Sequence, residues 1–382
     1  MTLDITPDRD DAAASAALAP TPVDAEPGDP VPATSTSPRA AQATPAPRVT
    51  TAPPAVSVVV PTYLRPMLLE RCLLALVAQS LPRDRFEIVV VDDGHDDKTR
   101  DRVAAVAALA DAPSITYVRP PSGRGPAVAR NCGWRSARAA LVAFTDDDTI
   151  PDAQWLAQGL ATMDQQPDWV AASGQVKVPR LGLPDDRQDL PTDHELMTRG
   201  LEAAEFVTAN AFVRRDALVR IDGFDERFLR AWREDSDLQF RLQQLGPVGR
   251  AGHAQVWHPV RPERWGVSLR QQRNVFFDAL LYRKHPQIYR SRIRAVPPWD
   301  YYAIVCLTVI APVLALGGMA GLAGMALVGA ALLILMLARR RLRHTSHTPR
   351  HVLEMAATSA AIPFLSVYWR LRGAWHFRTL FL

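Results

Sequence analysis

Ala140-Leu141-Val142-Ala143-Phe144-Thr145-Asp146-Asp147-Asp148-Thr149-Ile150-Pro151 passes from an apolar run straight into three carboxylates, and Pro151 is expected to open a helix. Clustered acids at the end of a buried strand cost energy unless they are paired or bind a cation. Alternate residues of a strand point the same way, so Asp146 and Asp148 are expected to face one point while Asp147 faces elsewhere. Two carboxylates converging at the carboxyl end of a strand suit a hard divalent ion that also grips a substrate's phosphates. Alone, an Asp-x-Asp equally describes a solvated acidic turn.

The flanking chain decides between these readings. Apolar runs alternate with amphipathic ones, the pattern of an α/β sheet covered on both faces. Strands are expected at Val56–Val60, Glu87–Val91, Ile115–Val118, Leu141–Phe144, Trp169–Val178, Val207–Val213 and Ala254–Trp257. The second ends, like the fourth, in acids: Asp92-Asp93-Gly94. Helices are expected around Met67–Gln79 and Thr99–Ala110, after the glycine-containing loop that precedes Ala127, and from Glu234 with Leu238, Leu242 and Leu245 on one face. Pro179–Thr198, rich in Asp and Pro, has the length and polarity of a lid or a surface loop. Ser268–His285 reads as a basic amphipathic helix, suited to an elbow lying on lipid headgroups.

The two ends differ from this middle. Residues 1–54 are rich in Ala, Pro, Thr and Asp and contain no Trp, Tyr or Phe. Such a segment cannot bury enough apolar surface to offset its ordering entropy, and a disordered tail is expected. It is acidic and lacks an apolar core, unlike a signal peptide. Three scattered cysteines, Cys72, Cys132 and Cys306, fit a reducing compartment rather than a disulfide framework.

From Arg292 onward ten arginines stand against Asp300 and Glu354. They flank long apolar runs, so the membrane and not nucleic acid is the expected partner. Tyr301–Ala338 has 38 residues without a charge; as one helix it would be about 57 Å long, roughly twice a bilayer core. Gly317-Gly318 offers a turn, so a transmembrane helical hairpin is expected, with residues 286–300 as juxtamembrane linker. Arg290, Arg292 and Arg294 precede the first span and Arg339-Arg340-Arg341 and Arg343 close the second, so both hairpin ends are expected on the cytoplasmic side of a bacterial inner membrane. In the basic tail 339–382, Met355–Trp369 is short for a span and is expected to lie at the interface.

With these residues in view, Val56–His285 resembles the family 2 glycosyltransferases of GT-A fold. VSVVVPTY, EIVVVDDG, GPAVARN, FTDDDTIP, GFDERF and EDSDLQFRLQQLG stand in the family's order and spacing. The resemblance implies a mixed, mostly parallel Rossmann-like sheet and transfer of a sugar, with inversion, from a nucleotide-sugar donor to a polyprenyl-linked or polysaccharide acceptor. It further implies that Pro61, Thr62 and Asp92 hold the nucleoside and that Arg130 reaches toward the diphosphate, with Asp147 also in the donor site. Asp146 and Asp148 would bind Mn²⁺ or Mg²⁺, with His258 as a third ligand. Asp235 would be the catalytic base and Glu234 its neighbour.

One departure from the family bears on the product. Processive members carry Gln-x-x-Arg-Trp, whereas here Arg261-Pro262-Glu263-Arg264-Trp265 has Arg in place of Gln and stands closer to the acids. Arg264 is still expected at the diphosphate and Trp265 at an acceptor sugar, in a non-processive enzyme. A sugar-phosphate nucleotidyltransferase would want a Gly-rich, basic loop after the first strand, where Pro61-Thr62-Tyr63-Leu64-Arg65-Pro66 stands instead. An inactive membrane-tethered scaffold would not be expected to keep Asp92, Asp146, Asp148 and Asp235 together.

Overall fold

The structure, a computed structural model, describes residues 53–179 and 190–382. The expected disordered tail, and the first half of the expected lid, lie outside the described residues. Eight strands form one sheet: β1 (Val56–Thr62), β2 (Phe86–Asp92), β3 (Ser114–Val118), β4 (Leu141–Phe144), β5 (Ile150–Pro151), β6 (Ala171–Lys177), β7 (Ala211–Arg214) and β8 (Val248–Trp257). Their order is β3-β2-β1-β4-β7-β6-β8-β5. β1 pairs in parallel with β2 and β4, as do β2 with β3 and β6 with β8; β7 runs antiparallel to β4 and β6.

The topology already places a site. From β1 the chain builds outward through β2 and β3, then returns to lay β4 on the other side of β1. Connections diverge there, and a crevice opens beyond the carboxyl ends of β1 and β4. Thr62 ends β1, and the three aspartates follow β4.

Helices cover both faces. α1 (Pro66–Val77), α2 (Asp97–Ala107) and α3 (Pro126–Ser136) follow the first three strands; α4 (Trp155–Gln165), α5 (Asp193–Arg199), α6 (Arg215–Ile221) and α7 (Glu234–Leu242) come after β4. α1 buries Leu69, Cys72, Leu73 and Leu76, at the spacing of one helical face. Val56, Val58 and Val60 of β1 enter one core with α1, while Val59 enters the other with Trp134 of α3, as the two-residue period of a strand requires.

Three strands differ from the sequence reading: Ile150–Pro151, where a helix was expected to open, forms the short β5 on the end of β8, and α4 starts only at Trp155. Thr208–Asn210 forms a 3₁₀ turn, so that β7 begins only at Ala211. Buried Asn210 causes this: its Nδ2 donates to the carbonyls of Gln175 and Ala254, and its Oδ1 accepts from Trp155 Nε1. β8 begins six residues before the expected Ala254, its early part disguised by Gly249 and Gly252. Within the expected lid, Thr192 and Glu195 form a capping box that starts α5.

α8 (Val267–Gln271), α9 (Val275–Lys284), α10 (Trp299–Leu316), α11 (Ala320–Leu342) and α12 (Pro349–His376) complete the chain. The 268–285 segment is not a single helix on the headgroups. A 3₁₀ turn breaks it, and Phe277, Leu280 and Leu281 are buried against Phe228, Phe240, Phe377 and Phe381. Gly318, with φ +78°, turns the chain between α10 and α11 as expected for the hairpin. Val309, Val313 and Leu316 of α10 and Met325, Val328 and Met336 of α11 are exposed. α12 extends well beyond the 15-residue apolar stretch to 28 residues, with Pro363 inside it. By length and composition α10, α11 and α12 could each cross a membrane.

Candidate active site

Thr145 and Thr149 build the acidic turn. Their hydroxyls lie 2.8 Å apart; Thr145 Oγ1 is also 2.9 Å from the Ala209 carbonyl, and Thr149 Oγ1 donates to the Asp146 carbonyl at 2.8 Å. Asp146 and Asp148 converge, but β4 has ended at Phe144, so the turn does what strand alternation was expected to do. Asp147 points the other way, accepting from Thr62 Oγ1 at 2.7 Å and pairing with Arg65 at 3.0 Å. Burial pushes its carboxyl above the usual carboxylate range, against the pull of Arg65.

His258, buried after β8, sets Nε2 3.5 Å from Asp148 Oδ1. Ligand atoms of Asp146, Asp148 and His258 lie within 4.8 Å of one another. The His258 Nδ1 is buried without a hydrogen-bond partner, while Nε2 faces Asp148. Two carboxylates with one imidazole fit a divalent ion. Burial acts to raise Asp148 as well, but His258 and Arg261 outweigh it and hold the carboxyl below its usual range. His258→Ala is therefore expected to weaken Mn²⁺ affinity by at least about tenfold while nucleotide affinity in EDTA stays unchanged. Isothermal titration decides this, and equal Mn²⁺ affinity would return His258 to a structural role.

The second group of acids arrives on α7. Glu234 and Asp235 occupy its first turn, both buried. Arg233 before them adopts a left-handed conformation, φ +73°, held by its ion pair to Asp278 of α9 at 2.7 Å. Trp232 Nε1 donates to the same carboxylate at 2.9 Å. Burial pushes both Glu234 and Asp235 above the usual range. For Glu234 the charge of Asp235 adds to the rise and Arg130 opposes it; for Asp235 the Ser236 N–H and then Arg130 pull back.

Arg130 of α3 joins the two groups. Its guanidinium donates to Asp146 Oδ1 at 2.8 Å and to Glu234 Oε1 at 3.0 Å. Its Nε and Glu234 Oε2 are buried without partners. In this structure the arginine expected to reach for a diphosphate spans Asp146 and Glu234.

Pro61 and Thr62 end β1 in register with Val91 and Asp92. Asp92 is fully buried, and its carboxylate accepts from the Gly94 and Asp96 N–H groups and from Tyr117 Oη at 2.6 Å. It organises the loop after β2. Asp93, which the sequence reading passed over, accepts from the Gly125 N–H at 2.8 Å and leaves Oδ1 buried and unpartnered. Arg264 is exposed, and the arginine of its loop that reaches the aspartates is Arg261, 3.1 Å from Asp148. Pro262 and Glu263 stand between the two. Arg65 was equally unread, although its place just after β1 could have flagged it. A larger cavity of about 1150 Å³, bordered by Arg227, Phe276 and Lys284, is lined by none of Asp146, Asp148, Glu234 and Asp235. Its Lys284 and Arg227 already hold Asp225, and the chemistry lies elsewhere.

Comparison with known proteins gives the chain a family. The profile of Glycosyl transferase family 2 matches residues 57–222, and that of Glycosyl transferase family group 2 matches residues 141–339, over half of the chain. The chain belongs to the family 2 glycosyltransferases. Among relatives of this glycosyltransferase, AglE of Haloferax volcanii is 28% identical over 221 residues, 57% of this chain and 71% of AglE. Validoxylamine A glucosyltransferase of Streptomyces hygroscopicus subsp. limoneus is 30% identical over 286 residues, 65% of this chain but only 60% of that enzyme. A mannosyltransferase from Pyrobaculum calidifontis, solved with GDP-Man and Mn²⁺, shares the fold with a TM-score of 0.50 at 20% identity, over 87% of this chain and 91% of that one.

Proposed function

We propose that this glycosyltransferase moves a sugar from a nucleotide-diphosphate sugar to a lipid-linked or envelope glycan in one inverting displacement, non-processively and with a divalent ion. The observation that carries the reading is Arg130, which ties Asp146 of the metal group to Glu234 beside the base. Pro61, Thr62 and the Asp92-Asp93 loop hold the nucleoside at the ends of β1 and β2. Arg65 and Arg261, each already on an aspartate of the turn, are positioned to share their charge with the diphosphate. Asp146, Asp148 and His258 would hold Mn²⁺ or Mg²⁺, which when bound neutralises charge developing on the leaving diphosphate.

The acceptor hydroxyl oxygen attacks C1 of the donor sugar as its proton passes to Asp235. The bond from C1 to the diphosphate oxygen breaks, and the nucleoside diphosphate leaves with that electron pair. Attack opposite the leaving group inverts the anomeric centre. Arg233, fixed by Asp278, aims the first turn of α7 so that Asp235 is mounted rigidly. The test is a panel of nucleotide sugars incubated with purified protein and Mn²⁺. Cleavage of one donor, abolished by EDTA, is expected; no cleavage of any donor, with or without candidate acceptors, would sink the reading.

For the membrane, we propose that α10 and α11 cross as a hairpin from a cytoplasmic catalytic domain of a bacterial inner membrane, and that α12 does not cross. Near its start, Glu354 accepts from the Gly266 N–H at 2.6 Å; near its end, Phe276 of α9 meets Trp369 and Phe377. A helix held to the catalytic domain at both ends lies along the boundary. With Cys306 changed to Ser, Leu316→Cys is expected to react only from the extracytoplasmic side and Leu380→Cys only from the cytoplasmic side. Labelling of Leu380→Cys from outside would mean that α12 spans.

A further inference from the structure

Between the catalytic domain and the start of α12 lies a second cavity, of about 390 Å³, large enough for a small polar ligand. One wall is the loop from Val260 to Trp265, whose Arg261 stands 3.1 Å from Asp148. The opposite wall is the first turns of α12, at the foot of the apolar helices. Of its lining, the donor chemistry above uses only Arg261.

Its carboxylates are already engaged. Asp193 pairs with Arg341 at 2.7 Å and Glu263 with Arg270 at 3.4 Å, while Glu195 and Glu354 each accept a backbone N–H at 2.6 Å. Its other cations are not. Arg264 and Arg350 are exposed, and their guanidinium groups make no ion pair or hydrogen bond among the described residues. His351 is buried and its Nε2 has no partner, so it can donate to an anion as a neutral ring. His194 donates through Nε2 to the Arg261 carbonyl at 3.2 Å, which leaves its buried, unpartnered Nδ1 as an acceptor for a hydroxyl. Trp265, 42% exposed, adds an aromatic face. Two guanidinium groups and an N–H suit a phosphate; a ring acceptor and an indole suit a sugar.

We propose that this cavity holds the phosphorylated, sugar-bearing headgroup of a membrane lipid, whose chain stays in the bilayer beside α11 and α12. The proposal rests on the glycosyltransferase reading and names its acceptor: a glycan joined to lipid through phosphate. The phosphate is an anchor. No bond to it is made or broken, and the nucleophile is a hydroxyl of the attached sugar.

The test uses the full chain in phosphatidylcholine nanodiscs, titrated with farnesyl phosphate, farnesol and glucose 1-phosphate and read by native mass spectrometry. Wild type is expected to retain farnesyl phosphate about 10- to 100-fold more strongly than farnesol. Arg350→Gln and His351→Ala are each expected to lose at least about tenfold of that retention, and Arg350→Lys to keep most of it. Arg350 is exposed, so its variants test the site without a folding defect. Equal retention of farnesol, or undiminished binding by Arg350→Gln, overturns the proposal. Glucose 1-phosphate bound as tightly as farnesyl phosphate, and lost in the same variants, overturns the lipid source in favour of a soluble sugar phosphate. Because binding is read without turnover, donor cleavage without lipid binding refutes this proposal alone, and lipid binding without donor cleavage refutes the reading of the active site.

Discussion

Asp235→Asn is expected to lower kcat by about 10² to 10⁴-fold while donor and Mn²⁺ binding stay near wild-type values. The amide cannot take the acceptor's proton, yet it keeps the oxygen that accepts from the Ser236 N–H at 2.7 Å, so α7 should keep its first turn. Single-turnover transfer beside a donor titration separates the two effects. The wild-type pH profile gives a second check. Asp235 serves as base only when ionised, and burial raises its pKa. The rate is therefore lost as pH falls through a value above the roughly 4 of an ordinary aspartate, and Asp235→Asn should remove that limb. A wild-type rate in the variant would move the base to Glu234, whose Oε2 is buried and unpartnered.

Asp148→Ala should act through the donor instead. Its carboxylate lies 3.5 Å from His258 and 3.1 Å from Arg261, so its loss would remove a proposed metal ligand and strand two buried or half-buried partners. Donor affinity with Mn²⁺ is expected to fall to the value measured in EDTA, and kcat by about 10² to 10³-fold, the scale for losing one stabiliser of leaving-group charge. Asp148→Asn, which keeps shape and a hydrogen-bonding oxygen, controls for misfolding. Mn²⁺-dependent donor binding that survives in Asp148→Asn and in a folded Asp148→Ala would remove Asp148 from the metal site. The two positions thus divide: Asp235 changes the rate and spares donor binding, whereas Asp148 changes both.

Much of the parallel half of the sheet was legible because local periodicity carries it. Val56–Val60, Glu87–Val91 and Leu141–Phe144 are short apolar runs closed by turn residues, and each forms a strand there. The other half was read less well. β7 and β8 depend on Asn210, whose amide binds carbonyls 35 and 44 residues away, and no window of sequence contains that contact. The loop ending in Trp265 shows the same limit, since spacing could not tell which of Arg261 and Arg264 turns toward the aspartates.

By itself the sequence determined the strand runs, the acid-rich turn after Phe144, the apolar hairpin around Gly317-Gly318 and the acids at the head of α7, because each is a matter of neighbouring residues and their periods. Tertiary structure alone decided who meets whom. Arg130 reaches Glu234 across 104 residues, Arg341 reaches Asp193 across 148, and His258 closes on Asp148 only because β5 pairs with the end of β8. Such pairings follow from which hydrophobic faces pack together, a property of the whole chain, and they turn separate acids into a site.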